Sequence, residues 1–144
     1  MTQANPSREP SSNYDPVFRS TERVTLRRLC RDDLRAFQAY RLDPVVGQYQ
    51  GWSPMSDAQA LSFLNEMNVA TALEPGEWFQ MGIADRRSNT LIGDIGVRIS
   101  GDGLEAEVGF TLGRCHQRQG LAREAVGEVD RKSTRLNSSH PYRS

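Results

Sequence analysis

From Trp78 to Leu112 the chain keeps a hydrophobic period of two through three consecutive segments, and this most constrains its fold. The segments are residues 78–84, 90–99 and 105–112. The polar stretch Asp85-Arg86-Arg87-Ser88-Asn89 and the tight turn Ser100-Gly101-Asp102-Gly103 separate them. In the middle segment Leu91, Ile95, Val97 and Ile99 fall on one predicted face, while Asp94 and Arg98 read as a solvated one.

Upstream the period is helical. Residues 24–29 read as a first strand. Residues 31–42 follow as a helix, with Leu34, Phe37 and Tyr40 or Arg41 on one stripe and Asp32 and Asp33 in the first turn, where acids suit the helix dipole. Asp43-Pro44 ends it. Ser56 and Gln59 have capping-box spacing for a second helix carrying Leu61, Leu64 and Met67. Glu74-Pro75-Gly76 breaks the chain before the strands begin. The predicted order is β-α-α-β-β-β, then a glycine-containing loop and a helix from about Leu121. Residues 1–20, rich in Ser, Pro, Asn and Gln, are expected to be a disordered leader.

Composition narrows the function classes. Eighteen basic and eighteen acidic side chains give no net charge, so nothing points to nucleic acid. No apolar run approaches membrane-spanning length, and no apolar segment resembling a secretory signal follows the first basic residue. Two cysteines, Cys30 and Cys115, make neither a disulfide framework nor a metal motif. The expectation is a reduced, cytoplasmic, metal-free protein in one domain.

The segment with chemistry in it is Gln117-Arg118-Gln119-Gly120-Leu121-Ala122, between the last strand and the helix. A turn of exposed N–H groups feeding a helix N-terminus attracts a diphosphate, because unpaired donors and the helix dipole both favour anions. Gly120 admits close approach where a Cβ would clash, and Arg118 adds a cation. An ordinary helix start explains the same residues without a ligand.

In context, the hexapeptide resembles the Q/R-x-x-G-x-G/A signature of the GNAT superfamily of N-acetyltransferases. Ala106-Glu107-Val108-Gly109-Phe110-Thr111-Leu112, Arg123-Glu124-Ala125, Tyr40-Arg41-Leu42-Asp43-Pro44 and Tyr49-Gln50-Gly51-Trp52 resemble its Rim-type branch, which includes ribosomal-protein N-terminal acetyltransferases. The resemblance spans residues 21–129 and implies an α/β fold, with a mixed, mostly antiparallel sheet and helices on both faces. It implies acetyl-CoA as cosubstrate and a primary amine as acceptor, either a protein N-terminus or a small molecule. It assigns Phe110, Thr111 and Leu112 to the strand that pairs with the pantetheine arm, and Gln117, Arg118, Gln119, Gly120, Leu121, Ala122 and Arg123 to the pyrophosphate loop. Glu107 is the candidate base, with Glu105 its alternative and a solvated strand glutamate the competing reading. Tyr49, Gln50 and Trp52 are candidates for the acceptor pocket. His116 and Cys115 read as solvated bystanders. A non-catalytic acyl-CoA-binding module on the same fold is the alternative function.

Residues 130–144 change character. Leu136 is their only aliphatic side chain, and Asp130-Arg131-Lys132-Ser133-Thr134-Arg135-Leu136-Asn137-Ser138-Ser139-His140 resembles the in-frame translation of a common sequencing adaptor. The expectation is a non-native tail on a domain that lacks the family's last strands and fourth helix, including the Tyr that protonates the departing thiolate. Such a chain is expected to be weakly active or inactive, with the edge of its last native strand unpaired.

Overall fold

A computed structural model of the chain describes residues 17–47, 53–71, 74–136 and 142–143. Its strands are β1 (Arg19–Ser20), β2 (Val24–Arg28), β3 (Trp78–Asp85), β4 (Leu91–Ile99), β5 (Ala106–Leu112) and β6 (Tyr142–Arg143). They lie side by side in sequence order, antiparallel except for the parallel β5–β6 pair. Helix α1 (Leu34–Arg41) follows a 3-10 turn at Arg31–Asp33, a helical turn at Pro44–Gly47 comes next, and α2 (Asp57–Val69) and α3 (Leu121–Leu136) complete the set. Among the described residues, no helix is long and apolar enough to cross a membrane.

Two apolar clusters fix the layers. Leu26, Phe79, Met81, Ile83, Ile95, Val97, Val108 and Leu112 meet Leu121, Ala125, Val126 and Val129 of α3 on one face of the sheet. Leu29 and Leu91 meet Phe37 and Tyr40 of α1 and Ala60 and Leu64 of α2 on the other. The predicted capping box holds: Gln59 N–H donates to Ser56 Oγ (3.1 Å), and Ser56 N–H donates to Gln59 Oε1 (2.9 Å). At the far end of α2, Arg28 Nη1 donates to the carbonyls of Met67, Asn68 and Ala70 (3.3, 3.1 and 2.7 Å), satisfying acceptors the helix leaves open.

Several expectations change. Order begins inside the predicted leader of residues 1–20, because Val17 is buried and β1 (Arg19–Ser20) pairs with β2. Leu91 does not share a face with Ile95 and Val97. The β3–β4 register skips Ile92, and this bulge turns the strand over, sending Leu91 to the α1–α2 side. Asp94 is not solvated: it is 1% exposed, beneath α1. Helix α3 runs past Asp130 to Leu136 despite the lost apolar stripe. The β5 edge is not wholly unpaired, since Tyr142 and Arg143 pair with Ala106 and Glu107.

Candidate active site

Three cross-strand rows build one face of the sheet beneath α1 and α2. Trp78, Arg98 and Glu107 form the first, Gln80, Gly96 and Gly109 the second, and Gly82, Asp94 and Thr111 the third. Glycines in the middle row leave a hollow of about 270 Å³, lined by Met55, Phe63, Trp78, Phe110, Gln80 and Thr111 together with Arg41, Asp94, Gly96 and Gly109. A Cβ added at Gly109 would meet nothing within 4 Å, whereas one at Gly96 would lie 2.9 Å from Gln80 Oε1. Gly109 is therefore open floor, and Gln80 lies across Gly96.

Asp94 organises the polar wall. Tyr40 Oη donates to its Oδ2, Arg41 Nη2 lies 3.1 and 3.2 Å from its two oxygens, and Gln80 Nε2 donates to Oδ1 at 3.0 Å. A buried carboxyl group needs such partners to offset its lost hydration. Burial, reinforced by the charge and hydrogen bond of Asp94, holds the Tyr40 phenol well above its ordinary value, so Tyr40 stays protonated as a donor. Nothing in the alternating pattern marked this cluster. Only the polar break Asp94 in an otherwise apolar strand hinted at it.

A loop leads from Leu112, the last residue of β5, to α3. Gly120 has φ +79° and Arg118 φ +65°, both left-handed conformations. The first helix-type bond of α3 runs from Glu124 N–H to the Gly120 carbonyl (3.0 Å), leaving the N–H groups of Leu121, Ala122 and Arg123 without intrahelical acceptors. Gln117 Nε2 donates to the Leu112 carbonyl (2.9 Å), and Gln119 Nε2 to that of Cys115 (2.9 Å), so both amides fold the loop on itself. Arg118 and Arg123 are exposed. Donors, left-handed glycine and cations together suit an anion.

A brace unforeseen from sequence holds this loop. Arg23 Nη1 donates to the Gln119 carbonyl (2.8 Å), and its Nε and Nη2 reach Glu124 Oε1 (both 2.8 Å). Glu124 Oε2 accepts from Arg23 N–H (2.9 Å) and from Thr21 Oγ1. Burial alone would raise the Glu124 carboxyl, but the hydrogen bonds from Thr21 and Arg23 hold it below its usual range.

The remaining candidates scatter. Phe110, Thr111 and Leu112 lie on β5: Thr111 and Leu112 are buried, and Phe110 is 38% exposed beside the hollow. Beyond Glu107, no described residue pairs with the outer edge of β5. Glu107 is exposed, 3.5 Å from Arg98, and four residues from Thr111, about 13 Å along a strand. It belongs to the rim row and does not line the hollow. Glu105 precedes β5 in a turn bonded to Ser100. His116 and the exposed Cys115 lie in the 3-10 turn before the loop. Tyr49, Gln50 and Trp52 fall outside the described residues.

The profile of the Acetyltransferase (GNAT) domain matches residues 23–136, most of the chain. The chain belongs to the GNAT acetyltransferase family. An uncharacterized N-acetyltransferase, p20, of Bacillus licheniformis is 33% identical over 119 residues, covering 81% of this chain and 66% of the relative. The chain thus spans just under two thirds of that protein's length. A GNAT acetyltransferase from Bacillus anthracis superposes with TM-score 0.73 at 19% identity, covering 87% of this chain and 70% of that one. Spermidine N-acetyltransferase of Vibrio cholerae, solved with CoA and spermine, gives 0.67 at 22% (85% and 70% covered). A candidate ribosomal-protein-serine acetyltransferase from the same organism gives 0.66 at 24% (83% and 67%). At these identities the structural likeness establishes the GNAT fold.

Proposed function

We propose that the protein to which this chain belongs moves an acetyl group from acetyl-CoA to a primary amine by direct attack. The observation that carries the reading is the pairing of two features along the C-terminal half of β5 and the loop that follows it. The α3 N-terminus offers open N–H groups beside a left-handed Gly120, and the glycine-floored hollow opens beside Phe110 and Thr111. Acetyl-CoA supplies the activated acyl group, and its transfer forms a C–N bond as the thioester C–S bond breaks.

The chain's own residues would divide the work. Gln117 to Arg123 hold the diphosphate through backbone donors, with Arg118 and Arg123 as cations. The outer edge of β5 from Val108 to Leu112 receives the extended pantetheine arm, and its N–H groups can stabilise negative charge growing on the thioester oxygen. The acceptor arrives as an ammonium, with a pKa near 10 for a lysine-like amine. Glu107, on the rim row beside Arg98, takes up its proton directly or through water.

The acceptor reading keeps both a protein N-terminus and a small-molecule amine, in line with the Rim-type resemblance. The 144-residue chain itself is weakly active or inactive in this account. Its adaptor-like string Asp130–His140 supports a tail foreign to the source gene, although the family profile runs to residue 136. Reading the source gene through the codon for Val129 tests this: apolar strands and a helix bearing Tyr are expected downstream. An encoded tail ending at Ser144 would overturn it.

Turnover of the intact protein tests the enzyme reading. Acetyl-CoA with a panel of amines should release CoA. Glu107→Gln should lower kcat without changing acetyl-CoA affinity. Acetyl-CoA binding with no transfer to any amine would favour the acyl-CoA-binding module instead.

A further inference from the structure

We infer that the hollow beneath α1 and α2 selects a primary amine carried on an apolar or aromatic group, with Gln80 Oε1 receiving its N–H, and excludes polycations. This rests on the acetyltransferase reading only in treating the hollow as the acceptor side.

Charge makes the first argument. A polyamine or aminoglycoside carries several ammonium groups, each needing an anion when taken out of water. Among the described residues Asp94 is the one carboxylate in the lining, and Arg41 already pairs with it at 3.1 Å. Its oxygens are further occupied by Tyr40 Oη and Gln80 Nε2. A second and third positive charge would find no partner there.

Shape makes the second. Met55, Phe63 and Trp78 supply the apolar lining, and Trp78 remains 51% exposed. An aryl or alkyl group would cover surface that is now in water, and aromatic faces also attract a single ammonium.

Gln80 makes the third. A carboxylate can only accept hydrogen bonds, so Asp94 fixes which end of the amide faces it: Nε2 donates and Oε1 turns away. Oε1 then lies over Gly96, next to the open floor at Gly109, and receives no hydrogen bond from any described residue. It is an oriented, neutral acceptor where an amine would enter. Tyr40 and Arg41 hold Asp94, and Asp94 holds Gln80, so the site is rigid before anything binds.

The test is titration calorimetry of the chain with 2-phenylethylamine, spermidine and 2-phenylethanol, with acetyl-CoA titrated separately. The account expects 2-phenylethylamine to bind at least about tenfold more tightly than spermidine. Gln80→Leu should weaken 2-phenylethylamine about threefold to tenfold, the worth of one hydrogen bond, and leave 2-phenylethanol and acetyl-CoA unchanged. Trp78 fluorescence, followed in a Trp52→Phe background, should respond to the amine in every folded variant. Gln80→Asn, which shortens the reach, stands in if the leucine variant unfolds. Equal or tighter spermidine binding, no 2-phenylethylamine binding, or indifference to Gln80 would overturn the inference. Failure of acetyl-CoA to bind would instead strike the enzyme reading and leave this result standing.

Discussion

The two faces of the sheet are built on different principles. Beneath α3 the contacts are apolar throughout, with Ile83, Ile95 and Val97 fully buried against one helix. Beneath α1 and α2 the apolar cluster is smaller, and it borders a buried carboxylate with three donors and a hollow floored by glycine. The first face contributes stability through area removed from water. The second keeps space and oriented polar groups, which cost stability unless each is satisfied. The face that carries the fold is thus not the face that carries the candidate chemistry.

Breaking the polar wall should have the largest effect. Asp94→Ala strands Arg41 and Tyr40 and is expected to cost about 3–5 kcal/mol in urea unfolding. On the α3 face Ile95→Val removes one methyl group and should cost about 0.5–1.5 kcal/mol. If Asp94→Ala proves no worse than Ile95→Val, the wall is not the strut described.

The loop brace gives a pH signature. Because the folded Glu124 carboxyl lies below its unfolded value near 4.3, its contribution is present above that pH and lost as pH falls through the folded value. Glu124→Gln should therefore lower stability at pH 7 and converge with the wild type once the pH falls below the folded value. An equal loss at both pH values would mean that packing, not charge, is involved. The smallest effect belongs to the exposed rim pair. Arg98→Ala should change stability by less than about 1 kcal/mol, since solvent screens its 3.5 Å contact with Glu107.

Much of the α3 face was legible because burial on one side writes a period of two along each strand. The cap at Ser56 and the start of α3 at Leu121 were legible for equally local reasons. The bulge at Ile92 was not, because one inserted residue leaves no compositional mark while reversing the face of Leu91. Asp94 was misread for a related reason. Alternation makes a polar strand residue look solvated, and its partners Tyr40 and Gln80 are far away in sequence. The phosphate-binding reading of Gln117 to Ala122 came from motif resemblance, and its brace by Arg23 and Thr21 joins residues about a hundred positions apart.

The central claim is that the turn into α3 receives acetyl-CoA. Titration calorimetry of acetyl-CoA into the wild-type chain and a folded Gly120→Val variant tests it most directly. A β-branched residue at φ +79° cannot hold the turn without strain. The account predicts saturable binding by the wild type, displaced by free CoA, and loss of that binding in the variant at unchanged helix content. No binding by the wild type, or equal binding by both, would contradict it.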